Sequence, residues 1–334
     1  MALSESASGR EPKAQQNRQL LLFSTLFLLY SLVVGAVLTI HPLYLELFLE
    51  KPEWVGLVAV LSSLAGMLFS LPAGVLADKL GRKRLLVASF LFLAAVLVAF
   101  FLNTSLYALI GLQLVFGVVM ASAWVISEAF IKDISPTGRR GEFRSIFGTF
   151  ANAGLFMGPI IGGLLADRYA LRTPYIVSAL LLLASLTLIL KLIDNTGNRR
   201  GNATNNENST DEMLAVLNEF RAQRELVVLA LCSVALFFWY SARWVFGPLF
   251  LERLGYSPFI IGLWIGVSGA PYLFFQIPLG KLGDKIGKTR LICLGFAIST
   301  IFIIPLGFLQ SLPSLLLTVF IISLGTTLVE PLLE

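Results

Sequence analysis

Charged residues are scarce in this chain. Only 13% of its 334 residues are Asp, Glu, Lys or Arg, whereas soluble globular domains carry about a quarter. The remaining composition is apolar: 57% of the residues are hydrophobic, and the mean hydropathy is +0.83. Water is therefore excluded as the main solvent of this protein.

Residues that most enzyme sites need are also missing. The chain has one histidine and two cysteines, with no pair at metal-ligand spacing and no Gly-x-Ser-x-Gly nucleophile elbow. The nearest approach to a phosphate-binding loop is Gly287-Lys288-Thr289, but Leu282 stands where that loop needs its first glycine. We therefore expect no enzyme activity, no cofactor and no metal site.

Apolar runs of membrane-spanning length occur along the whole chain. A helix needs about 20 apolar residues to cross about 30 Å of hydrocarbon. Because unpaired backbone groups are costly in lipid, each run must form a helix. The sequence predicts an all-α membrane protein whose ten spans are 20–47, 54–77, 85–101, 106–131, 146–166, 173–193, 226–251, 258–283, 291–309 and 315–334.

Basic residues follow the loops of one membrane side. If the N-terminus is cytoplasmic, only Lys51, Arg168, Arg172 and Arg253 of the 25 basic residues lie outside, and Arg243 lies within a span. This asymmetry follows the positive-inside rule and predicts a multi-pass protein of the cytoplasmic membrane with its N-terminus inside. The net charge of +5 is thus explained by topology, and we expect no nucleic-acid partner.

The second half of the chain repeats the first without gaps. An offset of 206 aligns Asp78 with Asp284 and, in the same register, pairs further prolines, glycines and charges. We expect two pseudo-symmetric six-helix bundles related by an axis along the membrane normal. The aligned pairs include Pro42 with Pro248, Glu46 with Glu252, Pro72 with Pro278, Gly74 with Gly280, Gly81 with Gly287, and Arg84 with Arg290.

The repeat divides the chain into four parts. Residues 1–19 form a cytoplasmic tail, 20–193 the first bundle, 194–225 a cytoplasmic linker with a short amphipathic helix, and 226–334 the second bundle. Only four spans fall in this last part, so we expect the second bundle to be incomplete. The sequence would then be a fragment or a truncated product.

The loop after the second span carries a specific motif. It reads Gly-Val-Leu-Ala-Asp-Lys-Leu-Gly-Arg-Lys-Arg over 74–84, and its second copy occupies 280–290. Here the chain resembles the major facilitator superfamily, and in the first copy only the Lys79 position departs from the family signature. The resemblance implies a conformational latch between the halves, formed by Gly74, Asp78, Gly81, Arg82, Lys83, Arg84, Gly280, Asp284, Gly287 and Arg290.

The fifth span contains a run of small residues around a proline. Such residues let helices approach closely in lipid, so a packing seam is one interpretation. The pattern is also similar to the motif of drug and metabolite antiporters in this superfamily, which is thought to hold the bend that governs antiport. The residues concerned are Gly154, Gly158, Pro159, Gly162 and Gly163.

Ionisable and polar residues within the spans are candidate sites, because each is costly in the membrane. The family fold implies a central cavity lined by the first, fourth, seventh and tenth spans, which carry most of them. Alternatives are snorkelling for Glu128 and Arg243, a polar rim for His41, and interface anchoring for the tryptophans. The candidates are Tyr30, His41, Gln113, Trp124, Glu128, Tyr240, Arg243, Trp244, Gln276 and Glu330.

The resemblance implies a secondary transporter that moves a drug or metabolite out of the cell by alternating access, in exchange for protons. Glu128 is the candidate for the proton-exchanging carboxylate. Gln113 stands where the antiporter branch has an arginine, which favours a second hypothesis, a uniporter or a sugar or carboxylate carrier. A third is a truncated membrane protein without transport activity. The expected partners are a small-molecule substrate and the lipid bilayer, and we expect a monomer.

Overall fold

The structure is a computed structural model that describes residues 13–49, 51–136, 138–193 and 224–333. Within these ranges every regular element is helical and no strand occurs. The all-α membrane fold expected from the sequence is thereby confirmed. The predicted linker and its amphipathic helix lie outside the described residues, except that residues 224 and 225 already belong to the next helix.

All ten predicted spans are helical. The seventh is interrupted by a π-helical turn, which divides it into α7 and α8, so the eighth to tenth spans are α9 to α11. The helices are α1 (Lys13–Leu49), α2 (Pro52–Leu80), α3 (Arg82–Leu102), α4 (Leu106–Ile134), α5 (Arg140–Arg168), α6 (Thr173–Ile193), α7 (Arg224–Ser241), the π turn (Ala242–Phe246), α8 (Gly247–Arg253), α9 (Pro258–Ile286), α10 (Lys288–Leu306) and α11 (Leu312–Leu333).

The turns between α2 and α3 and between α9 and α10 confirm the register of the repeat. Gly81 has φ +92° and its counterpart Gly287 has φ +104°. A side chain is disfavoured at such angles, and this backbone requirement explains both glycines. We call the membrane side with these turns the basic face, defined by residues 79–84, 132–144 and 285–290, and the other side the opposite face.

The two halves are packed from small and aromatic residues. In the first half α1 packs against α5 and α6, and α2 against α4. The Phe23, Phe27 and Phe147 rings form part of this core, with the Phe27 and Phe147 centroids 4.3 Å apart. In the second half α9, α10 and α11 pack together, and Trp264 Nε1 donates to the Leu315 carbonyl at 3.3 Å. The halves meet mainly along α5 and α9.

Candidate functional site

The glycine-rich segment of α5 lies directly against α1. A Cβ atom placed on Gly154 would stand 2.5 Å from the Leu28 carbonyl oxygen, and one on Gly162 would stand 2.6 Å from Ala36 Cα. Gly158 is in equally close contact with the backbone of α1 at Leu32. Since no side chain fits at these positions, glycine is needed for the two backbones to approach.

The other face of the same segment contacts the second half. A Cβ atom on Gly163 would lie 3.1 Å from Gly262 Cα of α9, and a Cβ atom on Gly262 would clash with the Pro159 carbonyl oxygen. The antiporter-like residues therefore form one seam with two faces, which we call the α5 seam (residues 154–163). One face packs within the first half, and the other joins the two halves.

A polar contact also crosses between the halves. Asn152 Nδ2 donates to Gln276 Oε1 over 2.6 Å, linking α5 to α9 close to the α5 seam. Gln276 was predicted as a cavity residue, and the structure places it at this junction. Its partner Asn152 was not predicted.

Arg82 forms contacts within the first half at the basic face, in the motif for which a latch between the halves was predicted. Its guanidinium lies 3.1 Å from Asp78 and 2.6 Å from Asp133 at the end of α4, and it donates to the Ala129 carbonyl over 2.5 Å. The motif thus ties the α2–α3 turn to α4. In the second copy Arg290 is exposed, whereas the surroundings of Gly280 and of the Asp284 side chain are outside the description. Lys83 is partly buried, Arg84 is exposed, and Gly74 has no close neighbour.

Glu128 lies near the basic face and forms an ion pair with Arg144 of α5. The Arg144 Nη1–Glu128 Oε2 distance is 3.0 Å, and the Glu128 side chain is 31% exposed. One helical turn earlier, Trp124 is 45% exposed and its ring lies 5.4 Å from that of Phe27. This end of α4 does not share the site formed by Gln113, although all three residues lie on one helical face.

Gln113 and His41 belong to a closed network inside the first half. His41 Nε2 is 2.8 Å from Gln113 Oε1, and Nδ1 is 2.7 Å from the Tyr175 hydroxyl. The amide oxygen accepts, so Nε2 carries the hydrogen, and Nδ1 accepts from Tyr175. Both ring nitrogens of a neutral, buried imidazole are then satisfied, which favours a packing role for His41. Tyr30 is likewise buried, and its hydroxyl donates to the Met120 carbonyl at 3.3 Å.

Arg243 occupies the π turn and points into the second half. It is only 7% exposed, and its Nη1 donates to Ser268 Oγ over 3.2 Å. Its guanidinium carbon lies 5.2 Å, 5.3 Å and 6.0 Å from the ring centroids of Tyr240, Trp244 and Tyr272. Its Nε is buried and has no hydrogen-bond partner. π-Helical turns often occur at functional sites, and this one is where the buried charge sits.

Glu330 of α11 reaches the same cluster through tyrosine hydroxyls. The Tyr240 hydroxyl donates to Glu330 Oε2 at 2.9 Å and lies 3.0 Å from the Tyr272 hydroxyl. Tyr272, at the midpoint of α9, also contacts the Thr326 hydroxyl. We call this set the second-half cluster (Tyr240, Arg243, Ser268, Tyr272, Thr326 and Glu330).

The second-half cluster joins three predicted residues to three that the sequence did not single out. Ser268 with Tyr272, and Thr326 with Glu330, are each spaced four residues apart, so each pair lies on one face of its helix. That spacing was the available signal, but hydroxyl residues are ordinary in membrane helices. Only the three-helix packing shows that Ser268 and Tyr272 contact Arg243 and that Thr326 reaches it through Tyr272.

A cavity of about 320 Å³ opens between α1, α2 and α4. Its polar lining consists of Ser62, Ser63 and Ser70. At the opposite face a second cavity of about 330 Å³ contains the repeat-equivalent Glu46 and Glu252, and Arg253 lies 3.8 Å from Glu46 across the two halves. The halves therefore contact each other at this face as well as along the α5 seam.

Known proteins share this sequence and this architecture. The sequence profile of the Major Facilitator Superfamily matches residues 17–333. The "Multi-drug resistance efflux pump PmrA homolog" of Lactococcus lactis is 28% identical over 286 residues, which cover 80% of this chain and 68% of that protein. "Multidrug resistance protein MdtG" of Serratia proteamaculans is 28% identical over 269 residues, which cover 77% of this chain and 62% of that protein.

Two solved structures have the same fold at low sequence identity. A bacterial homologue of the human lysosomal transporter Spinster, in an inward-facing and unoccupied conformation, superposes with a TM-score of 0.76 at 17% identity, covering 97% of this chain and 75% of its own. The nucleoside transporter NupG gives a TM-score of 0.76 at 17% identity, covering 93% and 80%. With its family profile matched over nearly its whole length, this multi-pass membrane protein belongs to the Major Facilitator Superfamily.

Proposed function

We propose that this chain exports a small drug-like or metabolite molecule by alternating access, and that protons bound at Glu330 energise the cycle. The observation that carries this proposal is the second-half cluster, in which a carboxyl and a guanidinium share tyrosine partners inside the membrane. Export is supported by the name of one relative, a multi-drug resistance efflux pump homologue.

The cost of burying charge supports a functional role for this cluster. An ionisable side chain at the bilayer centre costs at least about 2.5 kcal/mol, so such residues are rare and mark ion or substrate paths. Arg243 and Glu330 both lie within spans, and Glu330 is partly exposed. It is therefore a better candidate for exchanging a proton than Glu128, whose carboxylate is paired with Arg144 near the basic face.

The α5 seam supports the rocking motion that alternating access needs. Two bundles that rock against each other require a smooth junction, and glycine backbones in contact provide one. The Pro159 carbonyl and Gly163 lie against α9 across the junction of the halves, while Gly154 and Gly162 hold α5 against α1. The basic loops support a cytoplasmic N-terminus in the cell membrane.

The charge of the substrate decides how protons are coupled. A cationic substrate competes with a proton for the Glu330 carboxylate, which gives exchange, and exchange for inward-moving protons drives export, the direction in the name of the PmrA homolog. An anionic substrate binds Arg243 and promotes protonation of Glu330, which gives cotransport, and an inward proton gradient then drives uptake. The buried guanidinium favours this second candidate, a carrier of organic anions.

The test uses the 334-residue chain in proteoliposomes that contain a trapped pH-sensitive dye. Ethidium serves as the cationic probe and 4-sulfobenzoate as a membrane-impermeant anionic probe, with protein-free liposomes as the blank. We expect one probe to drive proton movement with the wild type and with Glu128→Gln, but not with Glu330→Gln. Protons moving against the probe indicate exchange, and protons moving with it indicate cotransport. Undiminished proton movement in Glu330→Gln would refute the assignment.

A further inference from the structure

We propose that Arg243 is an anion-binding group that receives the carboxylate of an aromatic or amphiphilic organic acid. The inference rests on the second candidate of the proposed function, the organic-anion carrier in which protons move with the substrate, and on the second-half cluster lining the transport path. Its basis is a hydrogen-bond donor of the guanidinium that has no acceptor, although the side chain is buried.

The guanidinium is buried but keeps a free donor. Arg243 is more than nine-tenths buried, Nη1 donates to Ser268, and Nε has no partner. A buried donor without an acceptor is destabilising, and a buried charge more so. A carboxylate is the acceptor that matches two guanidinium N–H groups at once. The site is therefore incomplete in a way that an anionic ligand would complete.

The aromatic rings around Arg243 favour an anion over a cation. Tyr240, Trp244 and Tyr272 place their rings within 6.0 Å of the guanidinium carbon, which stabilises its positive charge. These ring faces are the surfaces that an external cation would need, and the chain's own cation occupies them. The rings supply an apolar wall for the body of the ligand but no charged acceptor.

The titratable and charged groups that face Arg243 link anion binding to protons. They are Tyr240 on α7, Tyr272 on α9, and Glu330 on α11, which Tyr240 connects to the cluster. A carboxylate bound at Arg243 places a second negative charge on the other side of Tyr240 from Glu330. Like charges in one site favour protonation of one of them, so ligand and proton bind together.

Binding of defined probes to the 334-residue chain in lipid nanodiscs tests the proposal without any gradient or flux. The probes are benzoate, its neutral isostere benzamide, and benzylammonium, titrated by calorimetry. We expect benzoate to bind at least tenfold more tightly than either of the others. Arg243→Gln should abolish this preference, whereas Arg253→Gln, which alters an exposed arginine of α8, should retain it.

Equal binding of benzoate and benzamide to the wild type would overturn the proposal, as would an unchanged preference in Arg243→Gln. If Arg243→Gln does not unfold cooperatively, Arg243→Lys replaces it. This variant keeps the charge but loses the planar fork, and we expect a reduced preference. The comparison of the three probes on the wild type keeps the proposal refutable whether or not either variant folds.

Titrations in two buffers of different ionisation enthalpy measure the linked proton. Benzoate should bring proton uptake in the wild type and none in Glu330→Gln, which should still bind it. Benzoate binding without proton uptake in the wild type would contradict the linkage. The proposed transport function would be refuted by a different result, in which the probes bind but no gradient-coupled flux occurs.

Discussion

Alanine substitutions along α5 offer a direct test of the α5 seam. A Cβ atom on Gly162 would stand 2.6 Å from Ala36 Cα, whereas carbon atoms in favourable contact are about 3.5–4.0 Å apart. The α1 and α5 backbones would have to separate by about 1 Å, and such overpacking costs about 1–3 kcal/mol. Gly162→Ala should therefore lower the free energy of unfolding by that amount.

Gly148→Ala is the matched control, because it makes the same chemical change on the same helix where nothing lies within 4 Å of the new methyl group. Alanine is the better helix former by up to about 1 kcal/mol, so this variant should be neutral or slightly more stable. The assay is reversible thermal or denaturant unfolding in lipid nanodiscs. Equal stability of the two variants would refute the close approach of α1 and α5.

Gly163→Ala extends the test to the junction of the halves. Its methyl group would meet Pro258 and Gly262 of α9. The substitution should therefore hinder movement of the halves against each other more than it disturbs the packing inside either half. We expect slower flux of the transported probe at a modest loss of stability. Flux as fast as that of Gly148→Ala would contradict rocking about this junction.

Three further substitutions test local structure by unfolding measurements. Gly81→Ala should lower the free energy of unfolding by about 1–2 kcal/mol, because its backbone has a positive φ. Gly74→Ala is the control and should be tolerated, because its nearest neighbour is 4.0 Å away. Equal effects of the two substitutions would contradict the backbone explanation. Tyr175→Phe removes the donor to His41 Nδ1 and should cost about 1–3 kcal/mol, more than Tyr256→Phe at an exposed bond. Arg82→Gln should lower the free energy of unfolding by only about 1 kcal/mol, because the carboxylate partners of Arg82 are half exposed. The loss should be smaller in high salt, which screens ion pairs. A loss that does not depend on salt would argue against ion pairing.

The helices were predictable because the hydrocarbon core requires apolar spans of a fixed length. The repeat was predictable because prolines, glycines and charges recur in the same register. The repeat also located Gly81 and Gly287, since a tight turn needs the same backbone angle in both copies. The π turn was not predictable: the apolar pattern of 226–251 is the same whether or not one extra residue widens the helix at Ala242–Phe246.

The sequence predicted the charged residues of the candidate site but not the residues that contact them. Periodicity placed Gln113 and Glu128 on one face of α4, but it does not give their depth in the membrane. Fifteen residues at 1.5 Å each separate them by about 22 Å, so one lies in the core network and the other near the basic face. Arg243 and Glu330 stood out because charge is rare in spans. Ser268 and Tyr272 did not, because their role depends on which helix packs beside α7.

The most direct test asks whether Glu330, in the second-half cluster, is the carboxyl that takes up the transported proton. Infrared difference spectra of the reconstituted chain, recorded as the pH is lowered, detect each protonated carboxyl by its C=O stretching band. We predict that Glu330→Gln loses one band that the wild type and Glu128→Gln both show. A spectrum of Glu330→Gln identical to that of the wild type, with the band missing instead from Glu128→Gln, would contradict it.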